Sequence, residues 1–321
     1  VKNINESDIL ATGVQGKIIC LNNYCGESYV IKERVYSDLD IDENNPFSGV
    51  NSEVEIFKLL NNFIYSKITP HIPLYMGDFI CDINKEKYRY LMVEKADGTL
   101  KDILKSYDLS TQQWKILIFQ ILYTLAVIQK HYPNFIHNDL KIDNILYFKT
   151  ENNGKYGYEF NGKKYILEDF GISLSLWDFG FSSLDGLIQN NDIESSILQA
   201  AADDKILGIQ GQKNQYKDIY KLFFALSKLG KAFGIPEEIL SFLQKYIPEL
   251  ENDAYHNLIP NIEPFNPKEI LNDEFFNEFL NEEDENIIEN YSDSNELIFS
   301  QNSFLSSEFS NKCDEYVSYP F

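Results

Sequence analysis

Along the first hundred positions, apolar residues alternate with polar ones in short runs broken by glycine. Ile9 to Thr12, Lys17 to Leu21 and Ser28 to Val35 read as strands, separated by turn signals at Gly13 to Gly16 and Asn22 to Gly26. Together they predict a small antiparallel sheet. The period then changes. Val50, Val54, Phe57, Leu60 and Ile64 recur at helical intervals behind a loop at Glu43 to Pro46, so one helix follows the sheet. Tyr88 to Val93 gives another short strand. Ser110 with Gln113 forms a capping box that opens a long helix reaching about Lys130. The most apolar stretch, Ile116 to Ile128, is interrupted by Gln120 and falls short of the roughly 18 residues a membrane span needs.

Between 145 and 180 the chain returns to strands. Tyr156 to Phe160 and Lys164 to Leu167 flank Asn161-Gly162, the strongest short hairpin signal in the sequence, and Ile172, Leu174 and Leu176 alternate with serines. Beyond Tyr216 the spacing of Ile219, Leu222, Phe223 and Leu226 is helical, and a second helical stretch covers about Glu237 to Lys245. No internal repeat is present. The pattern predicts an α+β chain, strand-rich first and helical after residue 100.

Composition adds three constraints. The 321 residues are 44% apolar, with 21 Tyr and 23 Phe, which supplies ample core and excludes disorder as the whole story. Lys and Arg total 28 against 50 Asp and Glu, and the net charge of -22 repels nucleic acid and anionic lipid, so neither is an expected partner. From Asn281 onward ten acidic residues stand against one Lys, which predicts a solvated tail, with a partner or basic-substrate dock as its functional alternative. Cysteines at 20, 25, 81 and 313 contain no Cys-x-x-Cys unit, and the four His are scattered. Neither a disulfide framework nor a zinc site is expected, and a reducing compartment fits best. The first residues carry no signal-peptide pattern.

The chemistry concentrates in His137-Asn138-Asp139-Leu140-Lys141-Ile142-Asp143-Asn144, which places an acid, a cation and an amide in one loop. Phosphoryl transfer asks for such a set. Asp139 would orient the attacking hydroxyl and accept its proton, Lys141 would offset charge on the moving group, and Asn144 would bind a metal ion. The segment resembles the catalytic loop of the protein kinase family. That family also needs a metal-binding Asp-Phe-Gly, and the chain offers two, at Asp169 and Asp178. The period-two run Ile172 to Leu176 would deliver Asp178 to a cleft, so Asp178 is chosen. The hairpin near 150–170 then becomes an insertion that lengthens the gap from Asn144.

Upstream, Ala11, Gly13, Gly16 and Ile18 align with the family's glycine-rich phosphate loop, the first glycine having become Ala11. Lys32 follows at the distance of its phosphate-binding lysine. Two glutamates compete to pair with Lys32. Glu53 lies along the stripe of Val50, Val54 and Phe57, whereas Glu55 turns about 200 degrees away, so Glu53 is expected. The resemblance further implies that backbone groups of Glu94 and Ala96 meet adenine, that Val93 lines the back of that site, and that Asp218 braces the catalytic loop beside His137. Pro267 to Phe276 looks like a final kinase helix, so the likeness covers about residues 8 to 280.

The implied architecture is two-lobed: an N-lobe at 1–94, a C-lobe at 95–280 and an acidic tail at 281–321. The implied activity is transfer of the γ-phosphate of ATP to protein Ser or Thr, with Mg²⁺ as the metal and Mn²⁺ as its alternative; Lys141, two residues after Asp139, favours Ser or Thr over Tyr. The insertion and the Asn-rich composition look like the serine/threonine kinases of large cytoplasmic DNA viruses, including the poxvirus virion kinase group. That implies a cytoplasmic site, in host cell or virion, with virion or host partners reached through the tail. Two departures matter. Asn138 replaces the arginine that in many kinases pairs with an activation-loop phosphate, so constitutive or partner-controlled activity is expected, and no Ala-Pro-Glu lies between Asp178 and Asp218. A small-molecule kinase of the aminoglycoside or choline type and a nucleotide-binding pseudokinase scaffold are the competing readings.

Overall fold

The computed structural model describes residues 9–13, 16–24, 27–36, 49–151, 154–184, 186–188, 215–230, 232–247, 265–281 and 287–297. The first half of the α+β fold is an antiparallel sheet of β1 (Ile9–Gly13), β2 (Gly16–Tyr24), β3 (Glu27–Val35), β4 (Tyr75–Ile83) and β5 (Glu86–Glu94), in the order β1-β2-β3-β5-β4. Strand alternation divides its side chains between two faces. Tyr29, Ile31, Phe79, Cys81, Tyr90 and Met92 form a small core on one. Val30, Leu91 and Val93 join the main core on the other, beneath helix α1 (Gly49–Tyr65). Lys32, two residues from Val30, therefore emerges toward α1.

Gly16 has a structural reason to be glycine. Its φ is +136°, and a Cβ there would sit 1.7 Å from the carbonyl oxygen of Glu33. The backbone of β2 thus lies too close to β3 for any side chain.

The second half is organised by α3 (Thr111–His131), opened by the Ser110 and Gln113 capping box and buried on nearly every face from Trp114 to Gln129. Such an all-round apolar helix belongs at the centre of a core. Around it lie the short α2 (Leu100–Ser106), α4 (Lys217–Leu229), α5 (Glu237–Tyr246) and α6 (Pro267–Ile270). Two small sheets hold the loops. β6 (Gly98–Thr99), β8 (Ile145–Lys149) and β11 (Ile172–Leu176) run in the order β11-β8-β6, and β7 (Phe135–Ile136) pairs with β12 (Ser183–Leu184). β9 (Lys155–Phe160) and β10 (Lys163–Glu168) form the expected hairpin, turning on Asn161 and Gly162 with φ of 51° and 74°. The described residues contain no helix long and apolar enough to cross a membrane.

Several expectations change. Residues 267–276 are not one helix. α6 stops at Ile270, and a 3₁₀ segment, Glu274–Phe279, starts afresh because the Asp273 carboxylate accepts from Phe275 N at 3.0 Å, competing with helical continuation. The acidic end is not wholly solvated either. Ile287–Ser292 forms β13, parallel to β9, and Tyr291 and Asp293 are buried. Cys81 is disulfide-bonded, a bond the cysteine spacing did not announce, while Cys20 is a buried thiol. The loop at 43–46, the glycine-loop tip at 14–15 and residues 189–214 lie outside the described residues.

Candidate active site

Three separate stretches meet at Lys32. Its ammonium lies 2.7 Å from Glu53 Oε1 and 2.7 Å from Asp178 Oδ1. Glu53 also accepts from Arg34 at 3.2 Å, so one buried carboxylate holds two cations. Burial opposes the charge on Lys32, but Glu53 and Asp178 outweigh it and hold the pKa above the ordinary lysine value. Asp178 mirrors this: burial would raise its pKa, and the Lys32 charge and hydrogen bond bring it below the usual carboxylate range. Both groups are therefore charged at neutral pH. Glu55, the rival for Lys32, is turned to solvent and pairs with Lys58 at 3.0 Å.

Asp178 sits where β11 ends, in the left-handed region with φ 61° and ψ 70°. Phe179 behind it is fully buried, edge-on to Phe57 of α1 with centroids 4.8 Å apart and 5.2 Å from the His137 ring. Trp177 packs on Phe57 as well, at 5.4 Å. This aromatic stack couples α1, the residues after β11 and the His137 loop, a role that sequence reasoning missed because Phe57 and Trp177 read simply as core. The other Asp-Phe-Gly is placed differently. Asp169 accepts from the Thr150 hydroxyl and, at 2.9 Å, from Gly171 N, so its carboxylate closes the turn between β10 and β11.

The loop after β7 is fixed from below by Asp218 of α4, whose carboxylate accepts from His137 N at 2.7 Å and Asn138 N at 3.0 Å. Complete burial raises the pKa of Asp218 despite His137 and those bonds. His137 Nε2 lies 3.0 Å from the Trp177 carbonyl, and Trp177 N donates to the Asn144 carbonyl at 3.0 Å. Hence Asn144 and Asp178 stand one residue apart across a backbone hydrogen bond. Asn144 Nδ2 donates to the Asp139 carbonyl and to Asp139 Oδ2, at 2.9 and 2.8 Å, while Lys141 Nζ reaches Asp139 Oδ2 at 2.7 Å. Asp139, Lys141 and Asn144 therefore form one cluster, joined to Lys32, Glu53 and Asp178 through Trp177.

The remaining expected residues line the sheet side. Gly13 faces Gly16 across the β1–β2 turn, Ala11 is exposed on β1, and Ile18 pairs with Lys32. Val93 is fully buried opposite Val30. Glu94 N donates to the Leu74 carbonyl at 3.1 Å and its side chain accepts from Leu74 N at 2.7 Å, fixing the strand end that leads to Ala96. Asn138, with φ 67°, donates through Nδ2 to the Phe181 carbonyl at 2.8 Å and to Ser183 Oγ at 3.3 Å.

The sequence model of the poxvirus serine/threonine protein kinase family matches residues 91–258, a span containing Asp139, Asn144, Asp178 and Asp218. An Acanthamoeba polyphaga mimivirus protein bearing a serine/threonine-protein kinase name is 29% identical over 255 residues, covering 65% of this chain and 53% of that protein. Another mimivirus protein with such a name is 33% identical over 144 residues, 41% of this chain and 34% of its own length. A Dictyostelium discoideum protein of the same designation shares 34% identity over 104 residues, 27% of this chain and 8% of that protein. The chain thus spans about half the length of the first of these relatives and a third of the second.

Proposed function

The chain belongs to the poxvirus serine/threonine protein kinase family, and from that premise we propose that it transfers the γ-phosphate of ATP to Ser or Thr hydroxyls of proteins, in a cleft between an N-lobe at 1–94 and a C-lobe at 95–280. The observation that carries this reading is the shared ion pair of Lys32 with Glu53 and Asp178. In phosphoryl transfer the lysine–glutamate pair and the metal-binding aspartate must be in place together, and here one ammonium satisfies both at 2.7 Å.

Each residue then has a task. Lys32 steers phosphate oxygens, held by Glu53. Asp139 orients the acceptor hydroxyl and takes its proton, and Lys141, already against Asp139, offsets charge on the phosphoryl group. Asn144 and Asp178 suit Mg²⁺ or Mn²⁺. Asn144 spends its amide nitrogen on Asp139, which leaves Oδ1 to face an ion, and the Asp178 carboxylate, held by Lys32 through Oδ1 and by the Gly180 amide, supplies the charge beside it. The described residues contain no group of three or more His, Cys, Asp or Glu side chains that could hold a metal ion. Mg²⁺ is ordinarily bound by one or two protein oxygens together with nucleotide phosphates rather than by a protein cage, a role Asn144 and Asp178 would fill. The ion would neutralise charge on the β- and γ-phosphates. Gly13, Gly16, Ala11, Ile18 and Val93, with backbone groups of Glu94 and Ala96, would enclose the nucleotide.

The experiment compares the wild type with Asp139→Asn, following ³²P from ATP into a mixed protein acceptor with Mg²⁺. Incorporation into Ser and Thr that falls at least about a hundredfold in the variant is expected. Transfer only to a soluble metabolite would replace this reading with a small-molecule kinase, and nucleotide binding without turnover would replace it with a scaffold.

A further inference from the structure

The inserted β9–β10 hairpin and strand β13 lie away from the Lys32 cluster, yet both fasten on residues 67–75, the link that leaves α1 and enters β4. Ser292 N and Asn295 Nδ2 donate to the Lys67 carbonyl at 3.0 and 3.1 Å. Asp293, buried, accepts from Lys130 Nζ at 2.9 Å and from Asn161 N at 2.9 Å, which ties β13 to α3 and to the hairpin turn. Tyr123 donates to the Ile68 carbonyl at 2.9 Å, and the hydroxyls of Thr69 and Thr124 are 3.2 Å apart.

The central contact is His71 with Tyr158 of β9. Both are 2% exposed, their rings stack at 5.7 Å, and His71 Nε2 lies 2.9 Å from the Tyr158 hydroxyl. The other ring nitrogen, Nδ1, lies 2.8 Å from the Leu174 carbonyl, which can only accept. Nδ1 must therefore carry the proton, and Nε2 accepts from Tyr158. The His71 carbonyl in turn accepts from Leu176 N at 3.0 Å, two residues before Asp178. At the other end of the link, Asn61 of α1 donates to the Pro73 carbonyl at 3.2 Å and accepts from Tyr75 N at 2.7 Å. One residue, His71, thus joins the insertion, the strand that carries Asp178 and the segment that holds the end of α1.

We infer that the hairpin and β13 form a built-in brace, with Tyr158 and His71 as positioning residues, which holds α1 and Asp178 in the mutual placement that closes the Lys32–Glu53 and Lys32–Asp178 pairs. Kinases commonly control the placement of this helix through partners or phosphate. Here an insertion and the acidic end supply it within the chain. The inference rests on the phosphoryl-transfer reading for its catalytic consequence, but its structural part does not.

The test uses the full chain carrying Tyr158→Phe, which keeps the ring and deletes the hydroxyl. A kcat lower by about five- to tenfold is expected in the wild-type background, and a loss under about twofold in Glu53→Gln, because both changes act on one ion pair. A merely structural role would give equal losses in both backgrounds. Amide exchange in the folded protein should quicken in residues 67–75 and in α1. Unchanged α1 exchange, or additive losses, would overturn the brace. If Tyr158→Phe does not fold, Lys130→Ala, at a half-exposed position of the same brace, is judged by the same two criteria. Should the wild type transfer no phosphate at all, the functional reading fails, and α1 exchange alone then decides for or against the brace.

Discussion

The two Asp-Phe-Gly sequences allow a test in which stability and activity should move in opposite variants. Asp178→Asn removes the charge beside Lys32 and the proposed metal ligand, while Lys32 keeps Glu53 at 2.7 Å. Asp178 is a quarter exposed and buried Lys32 keeps Glu53 as its counter-charge, so the loss should cost the fold about 1 kcal/mol. Loss of one preorganised electrostatic group at a transition state costs about 2.7–4 kcal/mol, or 10²- to 10³-fold in kcat. Asp169→Asn reverses the pattern. Asp169 is buried and accepts from the Thr150 hydroxyl and from Gly171 N, and the amide weakens two charge-assisted bonds at a cost of about 1–3 kcal/mol in stability. No bond connects it to Lys32, so kcat should stay within about threefold. Urea unfolding and initial rates at saturating ATP and Mg²⁺ measure both quantities on each variant. An inactive Asp169→Asn beside an active Asp178→Asn would refute the assignment of the second motif, and with it the reading of the hairpin as an insertion.

Three more outcomes follow from the same contacts. Glu53→Gln leaves buried Lys32 and Arg34 short of a negative charge and should cost about 3 kcal/mol by urea unfolding, with kcat/KM down more than tenfold, whereas Glu55→Gln at a half-exposed i,i+3 pair should change stability by under about 0.5 kcal/mol. Asn138→Gly tolerates the φ of 67° but deletes the amide that holds Phe181 and Ser183, so kcat should fall about fivefold, while phosphatase treatment of the wild type should leave the rate unchanged. Burial lowers the pKa of His71 to about 4, against the opposing bond to Leu174, so the unfolded chain takes a proton below about pH 6.5 that the folded chain refuses until about pH 4. Stability should therefore drop by about 2 kcal/mol between pH 7 and pH 5, and His71→Gln should lose that slope; the difference isolates His71 from Asp218, whose raised pKa tilts stability the other way.

Where the sequence carried a strong local period, the fold was legible. Val50, Val54, Phe57 and Leu60 mark the buried face of α1, and Asn161-Gly162 turns the hairpin with the positive φ values that Asn and Gly tolerate. β4 escaped notice because its hairpin to β5 turns on Asn84 and Lys85, with φ of 52° and 71°, and no glycine announces it. α2 is seven residues long and too short for periodicity to register. β13 was hidden for a different reason. Its Ile287, Glu289 and Tyr291 lie among charges that read as solvated, and only pairing with β9, some 130 residues earlier in the chain, gives the strand a partner. A parallel contact of that range leaves no signature in either segment alone.

The placement of the site residues divides along the same line. The choice of Glu53 over Glu55 followed from helical phase, and the structure puts Glu53 inside and Glu55 outside because a step of two residues crosses the helix. What phase and spacing could not supply is how the two halves are joined. That work is shared by the rings of Phe57, Trp177 and Phe179, which read simply as core, and by backbone groups, the carbonyls of Trp177 and Asn144, which every residue possesses and no motif marks. Asn138 shows the consequence. Read as a missing arginine, it removes a phosphate-dependent contact; placed in the fold, its amide donates directly to the segment after Asp178. A neutral donor bound to a backbone carbonyl needs no added charge to act, so the departure from the kinase pattern specifies how that segment is held as well as what it lacks.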